Sequence, residues 1–154
     1  MTAIHPINQT LLVLLDNQVA RTAAAFEGLT EGDLDAHAGG DCHTIRQIAT
    51  HLLGLRKFQL SLLNSPLAAE APAAPAELPA LLAALARAAE LVRRELTEHD
   101  ANDWLADPTG DRPGPWADEP TLTRVIRPLN DFTNHLGAIR ALRRIRANPA
   151  PRTQ

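Results

Sequence analysis

The sequence predicts an all-α protein, a four-helix bundle, on three observations. Four segments carry apolar residues at three-four spacing. No stretch shows the strict alternation that a half-buried strand requires. Two stretches rich in proline, Asn64 to Pro79 and Asp107 to Pro120, separate the second segment from the third and the third from the fourth, and read as long loops. Four helices of roughly 20 residues can close one apolar core by packing side by side.

The first helix is expected over Pro6 to Phe26, where Ile7, Leu11, Leu14 or Leu15, and Val19 recur at helical spacing. Gly28-Leu29-Thr30-Glu31-Gly32 breaks it, and Thr30 is placed to cap a short turn. The second helix starts near Thr44 and runs to about Leu63. Its stripe is Thr44, Ile48, His51, Leu55, Phe58 and Leu62, so a histidine falls in an otherwise apolar row. The third covers about Leu78 to Thr97, with Leu78, Leu81, Leu82, Leu85, Ala89, Val92 and Leu96 as the clearest amphipathic pattern. The fourth follows Thr121 and runs to about Arg146, on the stripe Leu122, Val125, Leu129, Phe132, Leu136 and Ile139. Pro128 is expected to kink it or to mark an early break. Residues 1–147 thus read as one bundle domain, and 148–154, with two prolines, as a flexible tail.

Bulk numbers narrow the class. A chain of 154 residues with 45% hydrophobic residues suffices for one domain with a sizeable core. The net charge of -3 argues against a nucleic-acid surface. Arg140, Arg143, Arg144 and Arg146 form the one local basic run and read as the solvated end of a helix, where cations suit the dipole. A single cysteine, Cys42, excludes an internal disulfide and points to a reducing cytoplasm. The start lacks a basic segment ahead of an apolar one, so no signal peptide is expected. The run Leu11 to Leu15 is far too short to cross a bilayer, so no membrane association is expected.

Asp131 and His135 stand four residues apart, about one helical turn, and so project from one face. They lie at the edge of the last stripe, one position before Phe132 and Leu136. His51 on a facing helix could complete a set of two imidazoles and a carboxylate, which holds one side of a divalent metal and leaves the other open. A carboxylate in an apolar seam needs a partner; a metal is one, and a His–Asp hydrogen bond is another. Other residues carry less. Cys42-His43 reads as a loop cysteine beside a capping-region histidine, because adjacent side chains point apart. His5, His37 and His99 fall near helix ends or in loops and are expected to be solvated. Trp104 and Trp116 flank the second proline-rich loop, either anchoring it on the bundle or walling a substrate pocket.

The segment GLTEGDLDAHAGGDCHTIRQIATHLLGLRKFQ resembles the junction and second helix of the DinB-like (DinB/YfiT) superfamily, where a Ser/Thr-Ile helix start leads to the histidine of an Ile-x-x-His-Leu motif. Thr44-Ile45 and His51 match these. Later, DFTNHLGAIRALR is similar to the family's last-helix pattern His-x-x-x-His-x-Gly-x-Ile, with His135, Gly137 and Ile139 in place and Asp131 standing where the first histidine belongs. A glutamine usual in that region is also unmatched, Ala138 standing between Gly137 and Ile139.

The resemblance implies a four-helix bundle that holds a divalent metal at His51, Asp131 and His135, nickel or zinc first, iron or manganese next. It implies a metal-dependent transferase that uses a low-molecular-weight thiol such as bacillithiol or mycothiol, with metal-assisted hydrolysis as the next activity. It also implies a homodimer. The competing expectation is a non-catalytic, metal-free binding or stress-response module built on the same bundle.

Overall fold

The computed structural model of the chain describes residues 4–35, 42–106, 116 and 118–147. Within them the secondary structure is helical throughout, and no strand occurs among the described residues. The α-helices are α1 (Pro6–Phe26), α2 (Glu31–Leu34), α3 (Ile45–Leu62), α4 (Leu78–Glu98) and α5 (Thr121–Ala147). The four long ones are those the periodicity predicts, with ends within a residue or two. Single 3-10 turns at Pro66–Glu70 and Ala101–Asp103 give the two long connections some order of their own. The expected tail and most of the second proline-rich loop lie outside the described residues.

Local signals set the helix ends. Pro6 occupies the first turn of α1, where a missing N–H costs nothing. Gly28 follows that helix at φ 71°, a left-handed conformation that glycine adopts without strain. Thr30 opens the short α2, its N–H donating to Asp33 Oδ2 at 2.7 Å. Thr44 caps α3 through a reciprocal pair: its Oγ1 accepts from the Gln47 N–H at 3.1 Å, and Gln47 Oε1 accepts from the Thr44 N–H at 2.8 Å. Pro128 does not end α5. The helix runs through it, and the ring is buried; the expected break does not occur, because packing along the whole stripe outweighs the one lost rung.

Helix α3 packs on α4 and α5, and α1 packs on the same two. The order around the bundle is therefore α1, α4, α3, α5, with α1 diagonal to α3. The α5 stripe is as the spacing predicts, with Val125, Leu129, Phe132, Leu136 and Ile139 all buried. On α1 it is Leu15, not Leu14, that enters the core, while Leu14 and Val19 stay exposed.

The core divides into two apolar clusters. One gathers Phe26, Ile48, Leu52, Leu81, Leu85, Phe132, Leu136 and Ile139. The other gathers Leu11, Leu15, Leu60, Leu91, Val92, Leu96, Trp104, Val125 and Leu129. Buried Gln18, Arg56 and Gln59 come from the stretches of α1 and α3 between them. Gln18 Nε2 donates to the Leu129 carbonyl at 2.6 Å, and Arg56 Nη1 to Gln59 Oε1 at 2.9 Å.

The basic run on α5 is more than a solvated end. Arg143 Nη1 donates to the carbonyls of Ala24 and Ala25 at 2.9 and 3.0 Å, closing the last turn of α1, and Arg146 pairs with Asp33. His99 also departs from expectation. Its side chain is only 9% exposed, between Glu95 at 3.1 Å and Asp103 at 3.2 Å, and its ring lies on Trp104.

Trp104 is fully buried and anchors the second long connection on the bundle, its Nε1–H donating to Asn8 Oδ1 at 2.6 Å. Asn8 Nδ2 in turn donates to the His99 carbonyl at 2.9 Å. Asn8→Ala should therefore cost about 1–3 kcal/mol, since it strands a buried indole N–H and a carbonyl together. Urea denaturation followed by tryptophan fluorescence measures this; a loss under 0.5 kcal/mol would show that the pair contributes nothing net.

Candidate metal site

Two helix phases meet at the α3/α5 seam. Leu52 on α3 and Phe132, Leu136 and Ile139 on α5 share one cluster and are buried. His51 precedes Leu52, and Asp131 and His135 precede Phe132 and Leu136, so each is rotated about 100° from its buried neighbour toward solvent. The side chains of His51, Asp131 and His135 are 49%, 47% and 27% exposed, which sets the trio at the edge of the core. His51 is not within the buried stripe, as its spacing suggests. The inward face of α3 runs through Ile45, Ile48, Leu52, Arg56 and Gln59, and His51 borders it.

The three side chains converge. Each offers one ligand atom, and these atoms lie within 4.8 Å of one another. Asp131 divides its carboxylate between the imidazoles: Oδ2 is 3.4 Å from His51 Nε2, and Oδ1 is 3.4 Å from His135 Nε2. The two rings meet edge to face, 4.5 Å between centroids. A separation of 3.4 Å is long for a good hydrogen bond, whose usual range ends at about 3.2 Å. It is close to the spacing of neighbouring ligands about a zinc-sized ion, roughly 3.4 Å when each stands about 2.1 Å from the metal in tetrahedral array. Two imidazoles and a carboxylate on one side therefore fit a divalent cation.

Electrostatics favour the neutral, ligating form of one histidine. Burial against the seam lowers the pKa of His135 below the ordinary 6.5. The Asp131 carboxylate opposes this, and the neighbouring His51 and His43 imidazoles add to the lowering. His43, in the exposed turn ahead of α3, is thus near enough to be felt at the site; spacing along the chain could not reveal that proximity. Cys42 beside it is exposed and free.

An open cleft of about 460 Å³ adjoins Asp131. Its walls include Leu55 and Phe58 from α3, Arg127, Asn130 and Asn134 from α5, and Trp116. Trp116 takes φ 60°, a conformation costly for a bulky side chain. Two contacts hold its ring: Phe58 edge-on at 6.3 Å and the Arg127 guanidinium at 4.8 Å. Of the two tryptophans, then, Trp104 anchors and Trp116 walls the cleft. The α5 residues of that wall were not singled out from the sequence. The spacing Arg127, Asp131, Asn134 places them on one helix face and was the signal that could have found them.

Bundle and seam together define a helical protein with a three-residue, partly open cluster of side chains able to hold a metal ion. The chain belongs to the DinB superfamily, whose family model matches residues 14–137. No curated protein and no solved structure gives a significant match. No described helix is long and apolar enough to cross a membrane.

His51→Ala and His135→Ala should each abolish uptake of a divalent ion, read by elemental mass spectrometry after dialysis. Because both residues are partly exposed, unfolding free energy should change by no more than about 0.5 kcal/mol. Full occupancy in both variants would remove these residues from the site. Asp131→His, which restores the three-histidine pattern, should tighten binding of zinc or nickel; unchanged affinity would show that residue 131 does not ligate.

The lowered pKa of His135 carries a sign. The unfolded chain takes up a proton near pH 6.5, while the folded chain resists until lower pH. Stability from the neutral ring is therefore present above pH 6.5 and is lost as pH falls through the folded value. In chelator-containing buffer, the wild type should lose stability relative to His135→Gln between pH 7.5 and 5; parallel curves would contradict the shift.

Proposed function

We propose that this protein is a divalent-metal-binding member of the DinB superfamily that transfers a low-molecular-weight thiol to a small electrophile held in the cleft beside Asp131. The observation that carries the reading is the carboxylate of Asp131 standing 3.4 Å from both imidazoles, a spacing suited to ligands of one ion. Zinc or nickel is the proposed ion, because two imidazoles and one carboxylate suit borderline metals; iron and manganese rank next. When bound, the ion supplies positive charge that favours the thiolate over the thiol near neutral pH.

The chain's own residues do the rest. His51 and His135 present neutral nitrogens, and Asp131 offsets part of the positive charge. Phe58 and Trp116 offer apolar surface to the electrophile, Arg127 offers charge to an anionic leaving group, and Asn134 offers an amide for orientation. In the reaction a C–S bond forms, the leaving group departs with its bonding electrons, and the thiol proton passes to solvent.

A second reading is supported by the same contact. The long contact of Asp131 with His51 partners the carboxylate without an ion, as a non-catalytic binding or stress-response module would require.

The test begins with elemental mass spectrometry of protein purified without tag or chelator. Near one equivalent of metal is expected. The loaded protein should then consume an alkyl or aryl halide only when bacillithiol, mycothiol or another small thiol is present, and His51→Ala should lose at least about a hundredfold in kcat/KM, the scale of removing a metal's contribution. No metal at purification and none taken up on dialysis would sink the enzyme reading and leave the metal-free module.

A further inference from the structure

The opposite side of the bundle holds a second cavity, which shares no residue with His51, Asp131 and His135. It lies between α1 and α4 and has a volume of about 450 Å³, within the usual range of small-molecule sites of about 300–1,000 Å³. Val19 and Phe26 from α1, Leu82 and Leu85 from α4, and Phe132 from α5 line it. Val19 on α1 and Ala86 on α4 line it and are themselves exposed.

One cation lines this apolar space. Arg56, from the diagonal helix α3, is 1% exposed. Its guanidinium sits 4.0 Å over the Phe132 ring, and Nη1 donates to Gln59 Oε1 at 2.9 Å. Its Nε has no acceptor, and no carboxylate among the described residues pairs with it. Burial pulls its pKa down to about 9, which leaves it protonated at neutral pH. A buried charge with one neutral hydrogen bond and a ring contact is left short of the compensation such a group requires. Glu27 also lines the cavity, but it is exposed, beyond the end of α1, and forms no ion pair with Arg56.

We propose that this cavity binds a medium-chain aliphatic monocarboxylate, with its carboxylate on Arg56 and its hydrocarbon chain among the leucines and phenylalanines between α1 and α4. One guanidinium matches one negative charge, and the planar carboxylate fits its fork. A phosphate dianion would bring a second charge with no counterpart. The site is independent of the metal centre and does not require the thiol-transfer reading.

Calorimetric titration of the full chain tests this with decanoate and 1-decanol, each kept below its solubility or micelle limit. Decanoate should bind one equivalent, at least about tenfold tighter than the alcohol, the scale of one charge-assisted hydrogen bond. Arg56→Met, an unbranched replacement, should reduce decanoate to the alcohol's level while leaving the alcohol unchanged, which also reports an intact cavity. Ala86→Phe, which adds a ring at the cavity wall, should weaken both ligands with Arg56 in place, and it decides the matter should the Met variant fail to fold. Chelator should alter none of these affinities. No decanoate binding, equal affinity for acid and alcohol, full decanoate affinity in Arg56→Met, or an Ala86→Phe variant that binds as the wild type does would each overturn the proposal.

Discussion

The apolar contact of α3 with α5 governs everything the molecule can do at its polar seam. Leu52, Phe132, Leu136 and Ile139 are buried in one cluster, and their packing sets the rotation of both helices. With those rotations set, residues one position earlier must emerge at the edge of the contact. His51, Asp131 and His135 are those residues. Turning either helix by one residue, about 100°, would bury an imidazole or a carboxylate and expose a leucine or phenylalanine, both unfavourable changes. The geometry of the polar trio is therefore enforced by the apolar residues beside it, and the Thr44–Gln47 capping box keeps α3 in register from its first turn.

The edge position also settles the electrostatic balance. A fully buried Asp131 would suffer a desolvation penalty of several kcal/mol, while a fully exposed one would be screened and held by nothing. At about half exposure, it keeps contact with water and still reaches both imidazoles. His135 is the more enclosed of the two histidines, and there burial outweighs the attraction of the carboxylate, so its neutral form is favoured. A neutral nitrogen beside an anionic oxygen is the combination a divalent ion needs.

Much of this was legible in the sequence because helices repeat. Periodicity located α1, α3, α4 and α5, and the four-residue step from Asp131 to His135 placed two site residues on one face. His51 was found by its motif and by its row of apolar neighbours, but that row misplaced it: Ile48, Leu55 and Leu62 are buried, while His51 in the same row is half exposed, because the buried face is centred nearer Leu52. Burial of individual residues depends on which helices become neighbours, and a single helix pattern does not encode that order. His99 shows the same limit. It looked solvated at a helix end, yet it is enclosed by Glu95, Asp103 and Trp104. Pro128 looked like a kink or an early break, and α5 runs on through it. Arg143 and Arg146 looked like solvated charge, and they cap α1 and tie α2 instead.

Arg56 is the residue that no sequence rule singles out. It stands between Leu55 and the Lys57-Phe58 pair, where an arginine on a helix ordinarily reaches water along its stem. Here α3 turns that position into the interior, at the level where the two apolar clusters part. Replacing such a group with an apolar one is often neutral or stabilising, so stability alone is a weak reason for a charge in that place. Its position beside an apolar cavity supplies a different reason. On α5, Asp131 and Phe132 are consecutive and so point about 100° apart. One borders the polar seam with α3, and the other forms the floor beneath the guanidinium and the cavity between α1 and α4. A single helix phase thus arranges two chemically opposite surfaces, one suited to a cation and the other to an anion with an apolar tail.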